Sequence, residues 1–530
     1  MLFTSYEFLA FLAAVFLLYY VLPKRIQWIV LLVSSYIFYA LAGVEYLAFI
    51  AVTTLTSFAC ARAMGMVRER EAVYLAERGD TLSKDEKKEY KAKRKKQRFL
   101  ILCSALLLNF GILAVLKYTA FAVVNVNSLL HTFGAQTELT VPSLLLPLGI
   151  SFYTFQTMGY LIDVYRAKAE AVKNPFKLAL FISFFPQLVQ GPISRFGDLG
   201  HQLTEPHRFE RRNFTYGLQR ILWGYFKKLV IADRVLIVIN TMIDSPESYR
   251  GFYVFAMIIL YSVQIYADFT GGIDITIGIA ESLGIRLTEN FKRPFSSRST
   301  KEYWNRWHIT MGSWFTDYVF YPISVCRPML WISKKSRKVF GKNIGKRIPV
   351  YLATIVTWFL TGVWHGAGWN FIVWGLLNCA VILVSQELEP LYSKFEHRFP
   401  RLHASAPYGA FMAVRTFLLM GLIRSLDCYR DVPLTFKMWG SMFTDFNIGE
   451  ALGGGLLTLG IGVADYVIIA LGCVIMFAVS RAGKEVSVRE RLYDRPVLSW
   501  CLFGLLFIAV ILLGAYSVGY DASQFIYNQF

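Results

Sequence analysis

The sequence predicts an all-α, polytopic integral membrane protein. Of its 530 residues, 55 % are hydrophobic and only 17 % are charged, whereas about 25 % of the residues of a soluble protein are charged. Apolar runs recur along the chain, and several approach the length of about 20 residues that a bilayer-spanning helix needs. Lys and Arg outnumber Asp and Glu and give a net charge of +19. These observations exclude an ordinary soluble enzyme and a disordered chain.

The apolar runs predict roughly eleven to thirteen membrane segments in a single membrane-embedded domain, residues 1–530. The first run extends from about Phe8 to Pro23 with no basic region before it, so we expect a membrane helix and not a signal peptide. Gly271-Gly272 is expected to interrupt the helical pattern. The other runs lie near residues 27–43, 46–64, 99–125, 143–163, 176–193, 213–240, 251–267, 271–285, 309–323, 350–364, 369–386, 406–424, 452–479 and 497–519.

The basic segments between these runs indicate an orientation in the cell membrane. Residues 66–98 and residues 324–349 are rich in Lys and Arg, and residues 126–142 contain neither. Because an excess of Lys and Arg in short loops marks the cytoplasmic side, we expect 66–98 in the cytoplasm, as a charged helical hairpin, and 126–142 outside. Counting crossings then places Met1 and Phe530 outside.

Several kinds of chemistry find no support in the sequence. The seven Cys form no C-x-x-C pair. The five His residues at positions 131, 201, 207, 397 and 403 show no metal-ligand spacing, so no metal site is expected. There is no phosphate-binding loop, no H-E-x-x-H and no G-x-S-x-G. The basic residues follow no recognised nucleic-acid-binding pattern, so we expect no nucleic-acid partner. We also expect no bound cofactor.

A histidine at the end of an apolar run is the first candidate for chemistry, because an ionisable side chain in a membrane segment costs free energy. His365 ends the run that begins at Val350. An imidazole titrates near neutral pH, so it can take a proton from a hydroxyl and return it to a leaving thiolate. The alternative interpretation is a core histidine whose hydrogen bonds are satisfied.

The neighbours of this histidine favour a reactive site. Gly366 and Gly368 carry no side chains and are expected to let a substrate approach the imidazole closely. Trp364 and Trp369 are expected to line the space, and Asn370 offers hydrogen-bond donors and acceptors.

A second histidine occurs upstream in Asn305-Arg306-Trp307-His308, after a stretch rich in Lys and Arg. If this stretch is helical, Asn305 and His308 lie on one face, at positions i and i+3. Together with Trp307 they then form a second side of the same polar site and contact the substrate. The alternative is an interfacial aromatic belt with a snorkelling His and Arg.

Two further motifs place charges among apolar runs. Asp268 and Asp274 are six residues apart, and we expect them to pair with Arg or to cap a broken helix, in a structural role. Arg195 follows Gly191-Pro192 at the end of an apolar segment. It is expected either to bind a phosphate or to anchor the chain in lipid headgroups.

These motifs together resemble the membrane-bound O-acyltransferase family, and more closely its branch that acetylates bacterial polysaccharides. The D-alanyl transferases that act on teichoic acid are more distant. The resemblance is clear over residues 1–390 and looser afterwards. The segments that carry it are Met1–Phe8, Pro147–Gln156, Gln190–Arg195, Asp268–Asp274, Arg306–His308 and Trp364–Asn370.

The resemblance implies a bowl of membrane helices around a central tunnel. It makes His365 the catalytic histidine and His308 the second polar position, with Gly366 and Gly368 in support. It implies an acyl thioester donor, acetyl-CoA, on the cytoplasmic side, and a hydroxyl acceptor on a cell-envelope or secreted polysaccharide. It also implies membrane lipid around the protein and an extracytoplasmic partner that resembles a serine hydrolase.

Two other functions remain open at this point. A lipid O-acyltransferase would use the same chemistry on a sterol or glycerolipid. A proton-coupled transporter would also place Asp and His within the membrane, although the chain shows no inverted repeat.

Overall fold

The computed structural model describes residues 3–516, and these residues form helices and connecting segments without a β-strand. The predicted all-α fold class is confirmed. The described residues divide into two compact units. The first comprises 3–214 and Ala280–Leu287, and the second comprises Thr215–Ile279 and 288–516. Met1 and Phe530, both expected outside the membrane, are not among the described residues.

The helices, in chain order, are α1 (Tyr6–Val21), α2 (Gln27–Ala40), α3 (Tyr46–Arg78), α4 (Lys84–Thr132), α5 (Ile150–Tyr165), α6 (Pro175–Ser183), α7 (Phe185–Gln190), α8 (Phe196–Leu199), α9 (Arg211–Tyr225), α10 (Asp233–Asp244), α11 (Phe252–Ser282), α12 (Thr300–Trp304), α13 (Ile309–Phe315), α14 (Tyr321–Ser324), α15 (Arg327–Gly345), α16 (Ile348–His365), α17 (Trp369–Glu387), α18 (Glu389–Arg398), α19 (Pro400–His403), α20 (Ala406–Tyr429), α21 (Val432–Thr444), α22 (Ile448–Leu452), α23 (Val463–Ala482), α24 (Val488–Arg491) and α25 (Pro496–Leu513). Phe226–Ala232 and Thr316–Phe320 are π-helical.

Eight helices within residues 3–516 are long and apolar enough to cross a membrane. They are α3, α4, α11, α16, α17, α20, α23 and α25. Other predicted runs fold as shorter helices, among them α1 and α5 with 16 residues each and α2 with 14. The chain is therefore a multi-pass membrane protein.

The prediction that Gly271-Gly272 breaks a helix is wrong, because the two runs that it was expected to separate form one helix, α11. The glycines lie where α9 packs on α11. A Cβ on Gly271 would lie 3.0 Å from the carbonyl oxygen of Gly224, and a Cβ on Gly224 would lie 2.6 Å from that of Gly271. The missing side chains thus allow two backbones to approach closely, as small residues do between membrane helices.

The predicted charged hairpin at 66–98 is confirmed in the first unit, where α3 and α4 pack side by side. Ser83 and Glu86 form a capping box at the start of α4. An ion pair of 3.1 Å joins Arg98 to Glu71 across the hairpin. Its cytoplasmic location stays a prediction.

Two segments that the sequence suggested were loops are at least partly helical. Residues 324–349 contain α15, whose first turn carries a proline, a residue favoured at that position. Helix α4 continues to Thr132, so the predicted loop 126–142 begins only after it. The carboxamide of Asn127 exchanges two hydrogen bonds with the backbone of Leu139, and these bonds hold the loop against the helix.

Two of the family-like motifs in the first unit pack against each other. The side chain of Gln187 donates to Gln156 at 3.0 Å, and Ser194 donates to Gln187 at 3.0 Å. Gly149 has a φ of 68°, and a Cβ there would collide with the carbonyl oxygen of Leu188. This buried chain of polar groups joins Pro147–Gln156 to the segment that ends at Arg195.

Candidate functional site

His308 lies in the turn between α12 and α13, in the second unit. It is only 1 % exposed, and its φ of 48° and ψ of 52° are left-handed, a conformation that His adopts more readily than most residues. Helix α12 ends at Trp304, so Asn305 and His308 do not share a helical face. The condition for a shared face, a helix through both residues, is not met, and Asn305 is exposed whereas His308 is buried.

His365 is the last residue of α16, and the chain reverses into α17 within three residues. The two helices pack closely. A Cβ on Gly366 would collide with the ring of Phe371, and a Cβ on Gly368 would collide with the carboxamide of Asn370. The expectation that these glycines leave open space for a substrate is therefore wrong. Neighbouring side chains fill that space, and the glycines permit the tight turn that holds His365.

The two histidines contact the same indole. The ring centroid of Trp364 lies 6.0 Å from that of His308 and 5.0 Å from that of His365, with edge-to-face geometry in both pairs. Trp364 is buried. The structure thus brings together the two histidines that the sequence singled out from separate motifs.

His365 also contacts one member of a cluster of three tryptophans, which we name the tryptophan cluster (Trp304, Trp358 and Trp374). The ring of Trp374, from α17, lies 4.6 Å from the imidazole. Trp304 packs 5.7 Å from Trp374 and 4.9 Å from Trp358. Trp369, which was expected to line the site, is 58 % exposed at the start of α17. Within this cluster Trp374 contacts His365, and Trp304 and Trp358 pack on Trp374.

The polar neighbours of His308 come from the segment before α12 and from α20. Asn290 places its Nδ2 atom 3.3 Å from Nδ1 of His308. The guanidinium of Arg424 lies over the ring of Trp307, 4.4 Å from its centroid. Burial lowers the pKa of His308 to about 3, and the positive charge of Arg424 acts in the same direction. The imidazole is therefore neutral at physiological pH.

The remaining candidates differ in burial. Trp307 is 3 % exposed and stacks on Tyr303 with 5.6 Å between ring centroids. Asn370 is buried, and within the described part of the chain its Nδ2 atom has no hydrogen-bond partner. That amide group can bond to a substrate. Arg195 lies in the first unit, immediately before α8, and is half-buried.

Asp268 and Asp274 form ion pairs, so the expected pairing with Arg is present at Asp274. Asp268 lies 2.6 Å from Nζ of Lys228, which also pairs with Asp233 at 2.7 Å. Asp274 accepts from Nε of Arg220 at 2.9 Å and from Lys227. Capping of a broken helix does not occur, because α11 is continuous. We name this group the ion-pair cluster; its members are Arg220, Lys227, Lys228, Asp233, Asp268 and Asp274.

Residues 3–516 contain no group of three or more His, Cys, Asp or Glu that could hold a metal ion. The polar groups described near the two histidines are carboxamides and the guanidinium of Arg424, and indole rings pack beside them.

Comparison of the sequence with known proteins shows the family to which the chain belongs. The model of the membrane-bound O-acyltransferase family matches residues 168–426. The probable alginate O-acetylase AlgI of Pseudomonas aeruginosa is 32 % identical over 478 residues, which cover 89 % of this chain and 81 % of that protein. The chain belongs to the membrane-bound O-acyltransferase family. It is an O-acyltransferase of the cell membrane.

Two other relatives are similar over shorter stretches. The peptidoglycan O-acetyltransferase of Helicobacter pylori is 32 % identical over 335 residues, 58 % of this chain and 59 % of that protein. The teichoic acid D-alanyltransferase of Bacillus subtilis is 28 % identical over 256 residues, 47 % of this chain and 61 % of that protein. The family match includes every candidate site residue named above.

Sequence reasoning missed three residues around the two histidines: Arg424 and Asn290 near His308, and Trp358, which packs on the Trp374 ring that contacts His365. Arg424 is a charged residue at the end of an apolar run, and that alone could have marked it. Trp358 lies seven residues before His365, two helical turns away on the same face. No sequence pattern marks Asn290, because the path of the chain between α11 and α13, and not helical spacing, brings it to His308.

Proposed function

We propose that this acyltransferase moves an acetyl group from acetyl-CoA, on the cytoplasmic side, toward hydroxyl groups of a cell-envelope or secreted polysaccharide. The observation that carries the proposal is the placement of His308 and His365 against the single indole of Trp364. Relatives named for acetylation of alginate and peptidoglycan support a polysaccharide acceptor.

In the proposed reaction, His365 is the general base. Its imidazole takes the proton of the acceptor hydroxyl while the oxygen attacks the thioester carbonyl carbon. The C–O bond forms, the C–S bond breaks, and the proton passes from His365 to the leaving thiolate. A positioned base of this kind contributes about 10²–10⁴-fold in rate.

The groups around the histidines hold the substrates and keep water away. The Nδ2 atom of Asn370 is proposed to bind a polar group of the substrate, and Trp364 and Trp369 to contact the acyl or acceptor group. Trp307 and Asn305 are proposed to contribute from the side of α12. The apolar rings of the tryptophan cluster protect the thioester from hydrolysis by excluding water.

The donor is an anion, and basic side chains are proposed to hold its phosphates. The candidates are Arg195 and the basic segment 292–306. Guanidinium groups form paired hydrogen bonds with phosphate, which suits this task. Within the segment, Arg306 also pairs with Glu302 at 2.5 Å.

We further propose that the whole chain works as one membrane-embedded catalytic domain, surrounded by lipid. An extracytoplasmic partner that resembles a serine hydrolase is proposed to complete the transfer to a large glycan.

The test uses the purified protein in lipid vesicles with radiolabelled acetyl-CoA. We expect release of free CoA to depend on His365 and to increase when envelope polysaccharide and the partner are added. Label that enters lipid in place of glycan would instead identify a lipid acyltransferase. Label that crosses the membrane without CoA release would identify a transporter.

A further inference from the structure

Asn290 is a fully buried residue whose side chain lies between His308 and the first turn of α13. Its Oδ1 atom accepts two hydrogen bonds from Thr310, one from the backbone N–H at 3.0 Å and one from the hydroxyl at 2.9 Å. Its Nδ2 atom lies 3.3 Å from Nδ1 of His308. Its backbone carbonyl accepts from the N–H of Ile309 at 3.0 Å. The residue is thus tied to the turn at three points.

These contacts fix which way round the carboxamide lies. A backbone N–H can only donate, so the atom that faces the N–H of Thr310 must be the oxygen. The NH₂ group then faces Nδ1 of His308. Because an NH₂ group donates, Nδ1 must accept and therefore carries no proton. A neutral imidazole with a bare Nδ1 has its proton on Nε2.

We propose that Asn290 is a positioning residue that holds His308 as the neutral Nε2–H tautomer, so that His308 donates a hydrogen bond to the thioester carbonyl oxygen. This inference rests on the proposed function. As the acceptor hydroxyl attacks, that oxygen gains negative charge, and a fixed N–H donor stabilises it. No proton leaves His308. The two histidines thereby divide the chemistry: His365 moves the proton, and His308 stabilises the developing charge.

The surroundings of His308 agree with a neutral donor. The imidazole is buried, and the Phe269 ring packs edge-to-face on it at 4.9 Å. The nearby Arg424 is cationic and opposes a second positive charge on the imidazole. A base at this position would have to become an imidazolium during the reaction, and both features disfavour that form.

The decisive variant is Asn290→Asp. It keeps the size of the side chain and an acceptor for Thr310, but it presents a carboxylate oxygen to Nδ1, which draws the proton onto Nδ1. We expect kcat to fall by about 10²–10³-fold, the usual cost of losing one oxyanion donor, with a much smaller change in the KM for acetyl-CoA. Asn109→Asp is the matched control. Asn109 is another buried asparagine, whose Nδ2 donates to the carbonyl oxygen of Ala105 in α4, and its variant is expected to keep normal activity.

A second pair of variants tests the donor itself. His308→Gln retains an N–H donor near the position of Nε2 and cannot act as a base, whereas His308→Ala retains nothing. We expect the Gln variant to be at least about tenfold more active than the Ala variant, in line with one hydrogen bond to a charged group. Equal loss in both would overturn the donor role.

Nitrogen NMR of the protein with ¹⁵N-labelled histidine reads the tautomer without reference to activity. The His308 signals are assigned by their disappearance in His308→Gln. We expect a bare Nδ1 and a protonated Nε2, and the opposite in Asn290→Asp. A protonated Nδ1 in the unmodified protein would overturn the inference, as would unchanged kcat in an Asn290→Asp protein whose tautomer has switched. Failure of the proposed function is seen separately, as normal acyl transfer by His365→Ala.

Discussion

The second unit contains two groups of ionisable side chains among apolar helices, and they differ in what their charged or polar groups contact. In the ion-pair cluster, Lys228 lies within 2.7 Å of two carboxylates, and its side chain is 0 % exposed. At the candidate site, the imidazoles of His308 and His365 lie against aromatic rings, and the polar group closest to His308 is a neutral carboxamide. Charges that compensate each other hold helices together, whereas the two imidazoles are held by ring packing and, at His308, by a neutral carboxamide.

Local geometry explains the difference. The lysines are neighbours in a π-helical segment packed on α11, and Asp268 and Asp274 are six positions apart on that helix, so each lysine reaches its own carboxylate. The histidines instead lie at helix ends, His365 at the end of α16 and His308 immediately before α13. The ion pairs thus join one helix to another along their length, whereas the histidines are positioned by turns between helices.

The sharpest test of the comparison is His365→Ala. We expect acyl transfer to fall by about 10²–10⁴-fold or more, since the variant loses the proposed general base. Membrane insertion and thermal stability should not change. The measurement is glycan-bound acetate released by mild base from cells that express each variant. His131→Ala is the control, because His131 is exposed at the end of α4. Near-normal acetylation by a well-expressed His365→Ala protein would refute the catalytic assignment.

Lys228→Met should give the opposite result. It leaves Asp233 and Asp268 buried without the cation that pairs with both, and breaking a buried ion pair from one side costs about 3–5 kcal/mol. We expect a large drop in the amount of folded protein and in its melting temperature in detergent. Acyl transfer per folded molecule should stay close to normal. A stable variant with lost activity would move Lys228 into the catalytic machinery.

The contact between α9 and α11 offers a smaller effect. A Cβ on Gly224 would lie 2.6 Å from the carbonyl oxygen of Gly271, so Gly224→Ala should separate the two helices and destabilise the protein by about 1–3 kcal/mol. Gly504→Ala in α25 is the control, since nothing lies within 4 Å of its added Cβ. That variant should keep or raise the melting temperature. Equal melting temperatures for the two variants would mean that the helices have room to adjust.

The last prediction concerns the stability of the protein in acid. The pKa of His308 is lowered to about 3 by burial and by Arg424, while in the unfolded chain it is about 6.5. Between these values the unfolded state binds a proton that the folded state does not, so His308 removes up to about 1.4 kcal/mol of stability per pH unit as pH falls from about 6.5 toward 3. His308→Gln should therefore lose less melting temperature than the unmodified protein between pH 6.5 and pH 4.5. Parallel curves would show that His308 titrates normally.

The sequence predicts the fold class and the two histidines, but it does not predict the roles of several glycines or the contact of Asn290. Apolar runs and basic segments predict the helical membrane fold, since bilayer thickness and charge impose them directly. His365 and His308 stand out for the same reason. The predictions for Gly271 and Gly366 are wrong. The sequence alone does not distinguish a glycine that breaks a helix from one that leaves space for a substrate or one that lets a neighbouring segment pack closely. It also missed Asn290, whose role depends on a contact between residues 18 positions apart with no periodic pattern.

Helix α4 has 49 residues, and at 1.5 Å per residue it is roughly 70 Å long, more than twice the bilayer's hydrocarbon thickness of about 30 Å. Its first turns are charged and pair with α3, so the charged end of the hairpin is expected to extend beyond the lipid as a stiff rod. The tip at 79–83 is short and capped at Ser83. An antibody fragment bound to that rod would give a small membrane enzyme a recognisable feature in electron micrographs, and the short tip offers a place to insert a second protein.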